Sequence, residues 1–233
     1  LGAGRSATEA CRPLRIEAPI GSRIFRMAII GAYEYGRNAA ESYSCYAEGE
    51  QGGLCALDDR VLQVVRQLKR QEPDTLVIVF PHWGPNYKWK TALQAQMADA
   101  LLQAGADLII GHGAHMLQEI ERHDQKWVVF SIGNFMVNSP GRYAKYQAPP
   151  VSLAARLVIT REGTLLGRAL ELFPIMTDNL RTGYQTRFVT REEFDDICGM
   201  LSEKGHLELT RSGPIRLGAD EFGHFLRLDL GTV

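Results

Sequence analysis

Between Leu76 and Phe135 the chain carries three short apolar runs, and each ends in residues that an apolar interior does not accept. LVIVF leads into PHWG, DLII into GHGAHMLQEIE, and WVVF into SIGNF. Short continuous runs of this kind, without alternation, mark strands buried on both faces, as in the parallel sheets of α/β folds. Polar groups at the carboxyl ends of such strands are where open α/β folds keep their sites. Between the first two runs, Leu93, Met97, Ala100, Leu101 and Ala104 form the apolar stripe of a helix. Gly105 stands at the position just past its end that favours glycine. Strand, helix and strand in that order predict parallel strands at Leu76 and Leu108.

The remaining chain reads as support for that edge. Residues 1–12 read as a loop with a short helix near Thr8, and Ile24–Ile30 as the first strand. Residues 32–53, rich in Gly, Tyr, Ser and Asn, read as one long irregular loop, a length that usually signals function or disorder. Val61, Val64, Val65 and Leu68 then mark one face of a helix over 57–69. The Trp127 run pairs back on Ile120 as an antiparallel hairpin, and 152–160 with 164–173 form a second one. After Pro174 the texture changes. Thr190 and Glu193 form a capping box opening a helix to about Lys204, with Phe194, Ile197, Cys198 and Leu201 on one face. HLELTR and HFLRLDL read as two short strands. The expected division is a domain over 1–177 and a C-terminal α+β extension over 178–233.

Composition excludes some roles. A net charge of −1 over 233 residues gives no basic excess for nucleic acid or an anionic membrane. No apolar run approaches the roughly 18 residues of a membrane span. The four cysteines have no zinc-ligand spacing. Free thiols in a reducing compartment are the favoured reading, with a Cys45–Cys55 bridge the alternative in an exported protein.

His82, His112 and His115, delivered from strand ends and a Gly-rich loop, are the candidate catalytic and metal-binding residues. Neutral imidazole is the commonest metal ligand near pH 7, and three from separate loops suit a divalent ion. Trp83 and Asn134 are candidate substrate contacts: the indole to stack on a ligand or equally to pack at the rim, the amide to hydrogen-bond a substrate or offer a carbonyl to a metal, or equally to close an Asx turn. Tyr87 and Trp89 read equally as stacking groups or rim packing. Glu119 and Glu121 alternate like a solvated strand face, and His123, His206 and His224 read as solvated.

PHWG, AGADLIIGHGAHMLQ and FSIGNF, in that order, together with the opening GAGRSATEACRPL, resemble the CapA-like family of bacterial poly-γ-glutamate capsule-synthesis proteins. The resemblance covers about residues 1–175. It implies an α/β fold, part of a calcineurin-like metallophosphoesterase β-sandwich: two mixed sheets flanked by helices. It implies two divalent ions, Mn, Fe or Zn, in the complete protein, with His82 and His115 as ligands. In the family's GxHPH motif the first His falls at Gly113 here, with His112 one place earlier. The family's GDV, NLE and NNHxxD motifs are not in these residues, so the chain reads as the C-terminal part of a longer one, partnered by a missing N-terminal half. Only Glu34 is placed to add a carboxylate. The implied role is capsule or cell-surface polymer biosynthesis at the cell surface, against a cytoplasmic place for free thiols. The implied partner is an anionic polymer or a phosphate ester. Two readings of the chemistry stay open: a binding or assembly protein with a metallophosphatase-like site, and a metal-dependent phosphoesterase.

Overall fold

The three apolar runs fold as expected into strands. The computed structural model describes residues 1–36, 43–136, 140–205 and 215–233. Their contacts divide the chain into two compact units, Leu1–Gly84 with Thr91–Gly111, and Pro85–Lys90 with His112–Val233. The class is α/β, with several sheets and flanking helices, as the resemblance implies.

In the first unit, β1 (Ala3–Gly4) and α1 (Ala7–Ala10) precede a hairpin of β2 (Leu14–Ile20) and β3 (Arg23–Glu34). The strand β2 is an addition to the sequence reading. It lies at the sheet edge, where Pro19 costs no interior hydrogen bond. On its other side β3 pairs in parallel with β6 (Leu76–His82). β6 pairs in parallel with β7 (Leu108–Ile110), as the strand–helix–strand order predicts. Beyond the reach of β2, the end of β3 takes on β5 (Ala56–Leu57), while β4 (Gly53–Leu54) pairs with β1. The sheet is therefore mixed.

Two helices belong to this unit. α2 (Asp59–Gln71) is capped by Asp58, whose carboxylate accepts from the Arg60 N–H, and it buries Val61, Leu62, Val65 and Leu68. α3 (Ala92–Ala104) opens with a Thr91–Gln94 capping box and ends on Gly105, whose φ of 115° only glycine adopts without strain. Its buried stripe is rotated from the expected one. Leu101 and Ala104 are buried as expected, but Leu93 is 69% exposed, and Gln94, Ala98 and Leu102 are covered instead. Gln94 is buried because its side chain is spent on the cap.

Asp107 joins these elements. Its Oδ2 accepts from the Val77 N–H at 2.7 Å and from Lys69 Nζ at 3.0 Å. The same ammonium donates to the carbonyls of Pro73 and Thr75. One carboxylate thus fixes the start of β6, the start of β7 and the end of α2.

A disulfide links Cys11, beside α1, to Cys55, between β4 and β5. The free-thiol expectation is corrected for this pair, and so is the partner of Cys55, which is Cys11 and not Cys45. Spacing along the chain could not reveal it, because the fold brings together residues 44 apart.

In the second unit, β8 (Ile120–His123) and β9 (Lys126–Val129) form the expected hairpin. After α4 (Arg142–Tyr146), β10 (Val151–Glu162) and β11 (Leu165–Met176) pair over all twelve residues. α5 (Asn179–Thr182), β12 (Arg187–Phe188) and α6 (Arg191–Gly205) follow, then the hairpin of β13 (Ile215–Asp220) and β14 (Gly223–Thr232). β14 pairs with β11, so residues past 178 supply strands to the same sheet as β10. Every pairing in this sheet is antiparallel: two-residue turns join β10 to β11 and β13 to β14, and β14 returns from farther along the chain to β11; mixed pairing holds in the first sheet only. The capping box of α6 is present, with the Thr190 N–H donating to Glu193 Oε2 at 2.8 Å and the Glu193 N–H to Thr190 Oγ1 at 3.3 Å. The expected HLELTR strand lies outside the described residues. Among the described residues, no helix is long and apolar enough to cross a membrane.

Candidate functional site

The two units divide the candidate residues between them. His82 and Trp83 belong to the first, and His112, His115 and Asn134 to the second.

In the first unit, β6 runs on through Pro81 to His82 rather than turning at Pro81. Pro81 has no N–H to donate, and it lies beyond Val79, the last β6 residue registered with β7. His82 is registered opposite Tyr33 of β3, and the two rings stack at 4.4 Å and 15°. Trp83 is 2% exposed, so its indole serves the core and is not the ligand-stacking surface expected of it. Glu34, the candidate carboxylate, accepts from the Gly84 N–H at 2.8 Å and so holds the PHWG turn. Tyr46 closes the other side, donating to the Glu34 carbonyl at 2.6 Å and accepting from the Gly36 N–H at 3.0 Å. Burial pushes the Tyr46 phenol above its usual value, which keeps it a donor.

In the second unit, the Gly-rich loop presents His115 in the left-handed region, φ 62°, which a side-chain-bearing residue holds only when its surroundings fix it. The surroundings do. Asn134, at the end of the SIGN segment, places Oδ1 2.8 Å from His115 Nδ1 and donates from Nδ2 to the His115 carbonyl, also at 2.8 Å. Tyr143 of α4 lies against both: Asn134 Nδ2 donates to its hydroxyl at 3.3 Å, and that hydroxyl is 3.3 Å from the His115 carbonyl. The hydroxyl also shares a proton with Thr177 Oγ1 at 2.8 Å. Ser152 of β10 accepts from the Asn134 N–H at 3.0 Å. Ser152, Tyr143 and Thr177 are all buried, so each of these bonds replaces water the group has lost.

The aromatic neighbours complete the frame. Tyr87 stacks on His115 at 5.5 Å and on Tyr146 at 4.8 Å, and its N–H donates to the Ala114 carbonyl at 2.7 Å. Tyr87 is buried with Met116 and Tyr143, so of its two readings packing holds. Burial raises its phenol pKa. Trp89 lies under Lys204, with Nζ 5.4 Å from the ring centroid. Glu119 is 6% exposed and accepts from the Lys90 N–H at 3.0 Å, and Glu121 pairs with Lys90 Nζ. The solvated face expected there is corrected: these carboxylates tie down the segment that carries Tyr87. His112 is half-buried in the same loop. His123 lies 3.5 Å from Glu121, and the His224 ring packs at 5.2 Å from Phe194. His206 is outside the described residues.

Asn134 thus spends both ends of its amide on His115, and the substrate contact expected of it is replaced by a contact within the protein. Tyr143, Ser152 and Thr177 escaped the sequence reading. They come from separate segments, and no spacing connects them until the fold does. Among the described residues, no three of His, Cys, Asp and Glu gather as a metal-binding group. These residues by themselves do not fit a resident metal ion.

The family described as bacterial capsule synthesis protein PGA_cap matches residues 1–139. The chain belongs to this family. All of His82, Trp83, His112, His115 and Asn134 fall within the PGA_cap match, and the CapA-like resemblance read from the motifs is borne out. A capsule biosynthesis protein, CapA, of Bacillus anthracis is 36% identical over 96 residues, covering 39% of this chain and 23% of that protein. A PGA biosynthesis protein CapA of Bacillus subtilis is 28% identical over 137 residues, covering 58% and 34%. A probable polyglutamine synthesis accessory protein of Mycobacterium tuberculosis is 26% identical over 127 residues, covering 53% and 32%. The matched part of this PGA_cap chain spans about a third or less of each relative's length.

Proposed function

We propose that this chain acts in the biosynthesis of a capsule or related cell-surface polymer, with poly-γ-glutamate the first candidate. The family match over residues 1–139 carries the reading, and it takes in the hydrogen-bonded His115–Asn134 pair. The names of the Bacillus relatives support it. A place outside the reducing cytosol accords with the Cys11–Cys55 disulfide.

His115 is the residue on which the site depends in this reading. It offers an imidazole held rigidly at the end of a loop, next to a stack of tyrosine rings. A divalent ion at His82, His112 or His115 would need donors from outside the described residues, and the unmatched length of the relatives is where such donors would come from. Phosphoester hydrolysis is the less favoured reading. It needs oxygen donors that charge-balance its ions, and Glu34 and Glu119 are committed to backbone N–H groups.

Deletion of the gene encoding this chain tests the reading. The expected result is loss of glutamate polymer from the cell surface, restored by the parental gene and not by His115→Ala. Unchanged surface polymer after deletion would reject it. Metal content of the same purified proteins, lost in His115→Ala, would establish an ion at that residue.

A further inference from the structure

We propose that Asn134 is a positioning residue that holds His115 as the Nδ1–H tautomer, so that Nε2 carries the lone pair offered to a ligand. The hydrogen-bond chemistry assigns every atom. A backbone carbonyl only accepts, so the Asn134 atom 2.8 Å from the His115 carbonyl is the NH₂ group. The other amide atom is then the oxygen, which also only accepts, and it faces His115 Nδ1 at 2.8 Å. Nδ1 must therefore donate. In a neutral imidazole that leaves Nε2 unprotonated.

The amide has no freedom to flip. Reversal would set its oxygen against the His115 carbonyl, two acceptors at hydrogen-bond distance, whichever ring nitrogen carries the proton. Tyr143 receives a second bond from the same NH₂ group, and Ser152 fixes the Asn134 backbone at its N–H. Thr177 bonds Tyr143 from behind. His115 is half-buried, so the ring is not enclosed by the network that holds Nδ1. The working face of His115 is thus an acceptor. It takes an electron-pair acceptor, either a cation or an N–H or O–H donor, and it does not hold a carboxylate or a phosphate oxygen while neutral.

This assignment rests on the reading of His115 as the site's working residue, but its test stands apart from the polymer. The full chain, labelled with nitrogen-15, is examined by NMR at one fixed pH at which the ring is neutral. The expected spectrum shows the His115 proton on Nδ1. Asn134→Leu, which removes both bonds at constant size, moves the ring toward a mixture of tautomers. A parental spectrum with the proton on Nε2, or an Asn134→Leu spectrum identical to the parent, would overturn the assignment. Should Asn134→Leu fail to fold, the parental spectrum decides it. A confirmed Nδ1–H tautomer beside surface polymer lost on deletion but unchanged in His115→Ala would reject His115 as the residue the site depends on and leave the positioning role standing.

Discussion

Asp107 stands in the AGAD segment, which sequence reading enlists only as the beginning of a strand. Its carboxylate accepts from Val77 and Lys69, and truncation leaves a backbone donor and an ammonium without it. Asp107→Ala is expected to destabilise the chain by about 1–3 kcal/mol, read as a lower urea midpoint with an unchanged slope. Gly133 is constrained differently. A Cβ there would lie 2.3 Å from Ser152 Oγ, at a φ of +75°. Gly133→Ala should cost about 1–3 kcal/mol, and Ser152→Ala in the same chain should recover part of it, because the hydroxyl is the nearest obstacle. Residues of this kind show where sequence reading stops. Sequence reading singles out His115 because two imidazoles in a loop of small residues make a poor core, but it does not reveal the Asn134 amide that holds the ring. Trp83 and Glu119 were not legible, since chain position at a strand end or on an alternating face does not say which side the fold later covers.

Among the elements, helices and hairpins were the most legible, because their signals are local. Periodicity placed α2 and α3, and the capping box placed α6. The edge strand β2 was missed although Gly21-Ser22 is a hairpin-turn signal, since its mostly exposed residues show no apolar run. The cap of α6 carries a pH signature. Hydrogen bonds from Arg187 hold the Glu193 carboxyl down at about 2 against an ordinary 4.5. A lowered folded value means stability that is present above the unfolded pKa and is lost as pH falls from about 4.5 through about 2. The parent should therefore exceed Arg187→Gln in stability at neutral pH, and the difference should vanish near pH 2 in thermal melts. The disulfide acts on a larger loop. Closing a separation of 44 residues restricts the unfolded chain by about 4 kcal/mol on a chain-entropy argument. Reduction should lower the urea midpoint accordingly, and a non-reducing peptide map should join the peptides of Cys11 and Cys55.

For the whole molecule, the α/β class and the family were legible from three linked motifs, whereas the division into units was not. Texture suggested a boundary near 178, but β14 returns to pair with β11, and long-range pairing of that kind leaves no mark on composition. The contacts divide the chain instead at 84, 90 and 111. The route of the chain through those points has a practical consequence. Pro85–Lys90 is lent to the second unit, through the Glu119 and Glu121 carboxylates, before the chain returns to build α3 and β7. Neither half can be had by cutting the gene once: a clone ending at Gly84 lacks α3 and β7, and one starting at His112 lacks Tyr87. Anyone wishing to study the His115 side alone must graft the 85–90 hexapeptide back onto it, by a linker or by adding it as a synthetic peptide.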